Sequence, residues 1–179
     1  MHHSLRFYSR HRELFLRYYI WQAKWTAIPL IGGLLRGVAN LYGNRLHQAY
    51  VLTTSEAEQI VDSAAGLALG PCDCRRVFRN CDGPIEAEIM LGLSRNAFVQ
   101  EHPNDYREIT RDEAREILRR CHEKGLIHTI VKCREDFYAI CNCCPCCCVP
   151  LRLSKRYGIG NALARSDNIV QLFRERQAT

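Results

Sequence analysis

Read as a pattern of apolar and polar positions, the chain opens on a helix. Over residues 4–26, Phe7, Leu14, Tyr18, Trp21 and Trp25 recur at near-helical spacing, while Arg6, Arg10, Arg17 and Lys24 fall mostly off that stripe. Such a stripe packs on its own domain or on a partner subunit. A Trp-rich stripe beside basic residues also suits the membrane interface. Pro29 restricts Ile28 and breaks the pattern. Residues 30–42 then read as a second short helix, whose Gly32, Gly33 and Gly37 lower its propensity but let another backbone come close. Residues 47–53 form a linker or a short strand.

Further along, Ser55 and Glu58 match a capping box and predict a helix over 56–66, with Ala57, Ile60, Val61, Ala64 and Ala65 on its apolar face. Gly70-Pro71 closes that unit, and Cys81-Asp82-Gly83-Pro84 is a turn by composition. A helix is expected over 85–93, reaching Leu93, then polar irregular chain over 94–109 with a loop at 102–105. Thr110 and Glu113 form a second capping box and predict a helix over 111–124. Ala114, Ile117, Leu118 and Cys121 make its inner face, and Gly125 is its stop. Two β-branched and aromatic runs, 126–132 and 136–140, flank a polar turn and read as a β-hairpin. Residues 160–175 predict a closing helix, with Leu163, Ile169, Val170, Leu172 and Phe173 turned inward. The class that follows is α+β, predominantly helical. A helical arm over 1–50 precedes a small Cys-rich, cluster-binding domain over 51–179 with a β-hairpin and a closing C-terminal helix.

Charge sharpens this division. Of 25 Lys/Arg and 19 Asp/Glu, residues 1–50 hold seven cations and one acid, Glu13, so the whole net charge of +6 belongs to the arm. Such an arm suits an anionic membrane surface or an acidic partner, with nucleic acid the weaker reading. The apolar run at 28–35 is too short and interrupted for a membrane span, and no secretory signal is convincing. A cytoplasmic location is expected, free or peripheral on the cytoplasmic face of a membrane. Thiols stay reduced there and read as metal ligands before disulfides.

Eleven cysteines carry the chemistry. Six fall in one stretch: Cys141-Asn142-Cys143-Cys144-Pro145-Cys146-Cys147-Cys148. A core can use one or two small thiols, but six together call for a metal or a cluster. Cys141, Cys144 and Cys147 form C-x2-C-x2-C, which can wrap one corner of a cubane with a fourth ligand from elsewhere. Cys143, Cys146 and Cys148 make an interleaved register, so two clusters facing opposite sides is the simplest geometry. Cys72, Cys74 and Cys81 raise the set to nine, against about eight thiolates for two four-iron clusters. Cys121 is set aside as a core thiol and Cys133 as a turn residue. Arg75 and Arg76 either meet solvent and acids or offset cluster charge and donate to sulfur. Zinc fits less well, because its paired cysteines are usually separated by a dozen or more residues. His102, His122 and His128 show no ligand spacing. No small-molecule substrate site is evident in the motifs.

Cys72-x-Cys74-Arg75, then Cys81-Asp82-x-Pro84, then Glu123-Lys124-Gly125-Leu126-Ile127-His128, then Ile140-Cys141-Asn142-Cys143-Cys144-x-Cys146-Cys147-Cys148, resembles the ferredoxin-like iron–sulfur proteins of anaerobic bacteria and archaea. The resemblance covers roughly residues 55–150. It implies iron–sulfur binding and redox work, and no particular reaction. Unlike longer members, this chain has no ferredoxin motif after residue 150. The expectation is an electron carrier, or a non-catalytic subunit of an oxidoreductase complex, holding two [4Fe-4S] clusters and docking to a redox partner. One alternative is a cluster-based sensor of redox state, oxygen or iron, since the 111–124 helix and its hairpin resemble part of a winged helix. The helix's mixed charges suit a solvated face better than DNA. The other alternative is a zinc- or copper-thiolate module.

Overall fold

The computed structural model describes residues 2–92 and 94–177, and their side chains except at 2–6, 9, 94 and 97. Leu93 and the side chain of Arg6 lie outside the described residues. The fold is α+β, built on a seven-stranded mixed sheet. In chain order the elements are α1 (His2–Lys24), α2 (Gly32–Arg45), β1 (His47–Val51), α3 (Thr54–Ser63), β2 (Leu67–Pro71), α4 (Asp73–Phe78), β3 (Glu86–Leu91), α5 (Ser94–Glu101), β4 (Arg107–Glu108), α6 (Arg111–Glu123), β5 (Ile127–Cys133), β6 (Asp136–Cys143), α7 (Val149–Tyr157), β7 (Leu163–Ala164) and α8 (Ile169–Gln177). The strand order is β4-β2-β3-β6-β5-β1-β7, antiparallel except for the β1–β7 pair. β1 crosses the expected boundary at residue 50, so arm and body share one sheet.

Alternation along the strands sorts residues between two faces. Ala87, Ile89 and Leu91 of β3 join Ile130 and Ile140 in a core closed by α3, α6 and α8. Glu88 and Met90 point the other way, with Val131, Ala139, Cys141 and Cys143, toward α1, α4 and α5. That second face carries the site.

Several expectations are corrected. The 85–93 segment is a strand, not a helix. Glu, Met and Leu favour helix, but β3 is paired by β2 and β6 along both edges and buried on both sides. Residues 94–109 are not irregular: they hold α5 and β4. The closing helix over 160–175 is a 3-10 turn at Gly160–Ala162, the short β7, and α8; the preceding α7 was not anticipated. The first capping box is shifted by two residues. Thr53 Oγ1 accepts from Glu56 N at 3.2 Å and Thr53 N donates to Glu56 Oε2 at 2.7 Å. The second is half made, since Thr110 caps Glu113 N while the Glu113 carboxylate turns to Arg107. The mixed charges on α6 pair with one another, Arg115 with Asp112 and Arg119 with Glu116.

The α1 stripe is also reversed. Phe7, Leu14, Tyr18, Trp21 and Trp25 stay exposed, and α1 buries Arg12, Leu16, Ile20 and Ala23 against the body. These four also recur at helical spacing, but a guanidinium at the head of the row disguised it as the polar side.

Candidate metal centre

Three local structures bring the cysteines together. β6 ends in Cys141 and Cys143, which share a face. The turn at 144–147 follows, and Cys148 caps α7. Across from them, Cys72 caps α4, Cys74 lies in its first turn, and Cys81 lies on the loop behind it. Asn142 points to the opposite face of β6 and fixes the strand there. Its Nδ2 donates to Ala87 O at 2.8 Å, and its Oδ1 lies 2.6 Å from His128 Nδ1. Burial lowers the pKa of His128, so the imidazole is neutral and donates. Asn80 Nδ2 donates to Cys146 O at 2.9 Å and ties the Cys81 loop to the turn.

The nine anticipated cysteines fall into two sets, grouped differently from the two sequence registers. Cys141 is not with Cys144 and Cys147. The first set is Cys81, Cys144, Cys146 and Cys147, whose sulfurs all lie within 4.8 Å of one another and could hold a metal ion. Cys81 Sγ is 3.6 Å from Cys144 Sγ and 3.8 Å from Cys147 Sγ. A tetrahedral ion with metal–sulfur bonds of about 2.3 Å holds its thiolates roughly 3.8 Å apart. Thiolates of a four-iron cube stand farther apart, because an iron–iron edge separates the atoms they bind.

The second set is Cys72, Cys74, Cys141, Cys143 and Cys148. Cys141, Cys143, Cys148 and Cys74 neighbour one another in that order, and Cys72 lies near Cys141 and Cys143. No three of their sulfurs come within 4.8 Å of one another among the described residues. They border a cavity of about 470 Å³ whose far walls are Leu16 and Tyr19 of α1 and Val38 and Tyr42 of α2. Thr129 Oγ1 lies 3.4 Å from Cys143 Sγ, and Cys141 Sγ lies 3.3 Å from Glu88 Oε1. The neighbouring Cys143 and burial push Cys141 well up, and burial pushes Cys72 up to about 12. As bare thiols these groups stay protonated at neutral pH. In the first set burial opposes ionisation of Cys144, but Cys146, the Cys147 N–H, Cys81 and Arg75 outweigh it and bring the thiol down to about 7.

Between the sets sits Arg75. It is 1% exposed, and no oxygen accepts from its three guanidinium nitrogens; the Cys144 thiol is the group placed to do so. Its neighbours are the thiols of Cys72, Cys143 and Cys144. Gly83 lets the next turn close over it, since a Cβ there would stand 3.1 Å from Arg75 Cδ. Arg76 does the opposite, pairing with Asp73, Asp105 and Glu13 near the surface.

Two functional residues escaped the sequence. Arg12 is buried and bidentate on buried Glu88, at 2.7 and 2.5 Å, with Asp73 at 3.1 Å. Glu88 in turn touches Cys141, so the Arg12 ion pair ties α1 to the cysteine face beside the packing of Leu16 and Ile20. A lone acid amid Ala-Glu-Ile-Met-Leu was the available signal. Cys121 lies in the first-face core, and Cys133 is partly buried against the second-face cluster. Neither a family model, a curated protein nor a solved structure matches this chain.

Proposed function

We propose that the chain is an iron–sulfur electron-transfer protein. A cluster would occupy the five-thiol set, and a second metal centre the four-thiol set. The observation that carries this is Arg75. Burying a cation with no anionic partner costs several kcal/mol, and the foremost groups beside it that can turn anionic are Cys72, Cys143 and Cys144, drawn from both sets. Metal binding makes thiolates of them and supplies the missing negative charge. The positive charge would in turn raise the reduction potential of a thiolate-ligated cluster. The open spacing of the five thiols around a cavity favours a multi-iron cluster there, since a single ion would draw its ligands together. Cys143 and Cys144, one in each set, are joined by one peptide bond, a short route for an electron between centres.

The tight four-sulfur set supports a second reading, a structural zinc–thiolate site. Anaerobic purification with iron, sulfide and zinc analysis, and EPR after dithionite reduction, separates the two. About eight iron and eight sulfide per chain would indicate two four-iron clusters, and about four of each plus one further metal would indicate a cluster beside a single ion. Either supports electron transfer. Zinc without sulfide overturns it.

A further inference from the structure

The outer side of the N-terminal hairpin carries the exposed apolar surface of the fold. Among the described residues fourteen large apolar side chains stand exposed, and thirteen of them lie between Phe7 and Leu46. That concentration sets them apart from the scattered apolar residues of an ordinary surface. They come from consecutive pieces of chain. Leu14, Trp21 and Trp25 lie along the outside of α1 and just beyond it, with Tyr18 at the rim of the cavity. Ile28, Leu30 and Ile31 form the turn. Leu34 and Leu41 continue along α2. The rings are arrayed along the helix, Tyr18 to Trp21 at 6.0 Å and Trp21 to Trp25 at 5.1 Å.

Internal packing does not account for this surface, because α1 already buries its other side. Leu30 makes the case most directly. It is fully exposed, at 103%, and its φ of +71° lies in the left-handed region that a Cβ disfavours. A turn facing water would place Gly or Asn there. Leu30 touches nothing in the protein that repays the strain, so its partner lies outside the chain.

Charge identifies that partner. Glu13 is the sole carboxylate between residues 7 and 46, and Arg76 holds it at 3.3 Å. Arg17, Lys24 and Arg45 are exposed and have no ion-pair partner among the described residues. An apolar face with two Trp residues and only cations to spare matches the headgroup zone of an anionic bilayer. No helix of the structure is long and apolar enough to cross a membrane, so the contact is peripheral.

We propose that residues 14–46 are a membrane-docking hairpin that lays its outer face on an anionic lipid surface, with the turn around Leu30 inserted. The inner side of the same hairpin walls the five-cysteine cavity. Docking therefore sets those cysteines about one helix diameter, ~10 Å, from the lipid. This holds whichever metal the cysteines take.

The test is flotation of the anaerobically purified full chain with vesicles of phosphatidylcholine alone or mixed with phosphatidylglycerol, with metal content measured in parallel. Binding should be roughly 10²-fold tighter on the mixed vesicles and should weaken as salt rises. Leu30→Ser with Trp21→Ser should reduce it at least about tenfold with metal content unchanged, both residues being exposed. Arg17→Gln, Lys24→Gln and Arg45→Gln together should remove the preference for phosphatidylglycerol. Absence of binding to either vesicle, or binding indifferent to the Leu30/Trp21 pair, overturns the proposal. So does a lipid-free homodimer in sedimentation equilibrium that the same pair of substitutions splits, which would make the face a contact between copies.

Discussion

The attachment of α1 to the sheet can be tested at Arg12. Arg12 and Glu88 are 8% and 1% exposed in their side chains, with contacts at 2.7 and 2.5 Å and Asp73 at 3.1 Å. Two unit charges about 3 Å apart attract by roughly 5 kcal/mol at an effective dielectric near 20. Desolvation offsets much of that while the pair is intact. Arg12→Met keeps the length and removes the charge, leaving Glu88 buried and uncompensated. Asp73 keeps Arg76 at 2.8 Å, so the loss falls on Glu88. Breaking such a pair from one side costs about 3–5 kcal/mol. At a urea slope near 2 kcal/mol per molar, the unfolding midpoint should fall by about 1.5–2.5 M. The assay is anaerobic urea denaturation followed by far-UV circular dichroism, with metal content checked. The double variant Arg12→Met/Glu88→Gln removes the stranded charge and should recover most of the loss. A single-variant shift below about 0.5 M, or a double variant no better than the single, would refute the reasoning.

Other consequences follow from single features. Arg75→Met should lower the reduction potential of the loaded protein, because a buried positive charge beside the thiolates is gone. In the metal-free chain it should be neutral or stabilising, and the opposite pattern by voltammetry and urea melts would sink the charge-offset role. Thr53→Ala should cost about 1 kcal/mol and Ser55→Ala almost nothing in thermal melts, since Thr53 makes the cap. His47, pushed down to about 4 by burial and by Arg12, stays neutral in the folded state while the unfolded chain protonates near 6.5. Stability is therefore flat above about pH 6.5 on its account and falls by up to about 3 kcal/mol toward pH 4. His47→Gln should remove that part of the slope in urea melts across pH, and an unchanged slope counts against it.

The helices with strong amphipathic patterns were legible. α1, α2, α3 and α6 lie close to where periodicity puts them, and Gly125 ends the last with a φ of +70°. The β5–β6 hairpin was legible too. The rest of the sheet was not, for a physical reason. β2 and β3 are buried on both faces, so Leu67-Ala68-Leu69 and Ile89-Met90-Leu91 read as continuous apolar runs without the alternation of a half-exposed strand. By its type alone Glu88 belongs in a helix or on a surface. It is in neither, because Arg12 arrives from a segment 76 residues away. Local pattern carries no trace of a long-range ion pair.

The cysteines show the same limit at finer scale. Composition singles out nine of them as candidate ligands, and spacing groups Cys141 with Cys144 and Cys147, whereas the structure groups Cys144 and Cys147 with Cys81 and Cys146. The grouping by spacing presumes a loop whose side chains turn at a regular step. Here Cys141 and Cys143 belong to a strand, where alternate residues share a face, and the chain leaves the sheet only at Cys144. The strand's end therefore divides the sets. Arg75 and Arg76 divide the same way, adjacent in sequence yet turned to different neighbours, one among thiols and the other among carboxylates. Which of two neighbouring arginines meets the cysteines depends on the roll of a six-residue helix. That roll is fixed by what α4 packs against: Leu16 and Ile20 of α1, and Val149 of α7. The arm is thus part of what holds the cysteine face together. A variant that frees α1 should disturb the cysteine face even though α1 itself contributes no sulfur.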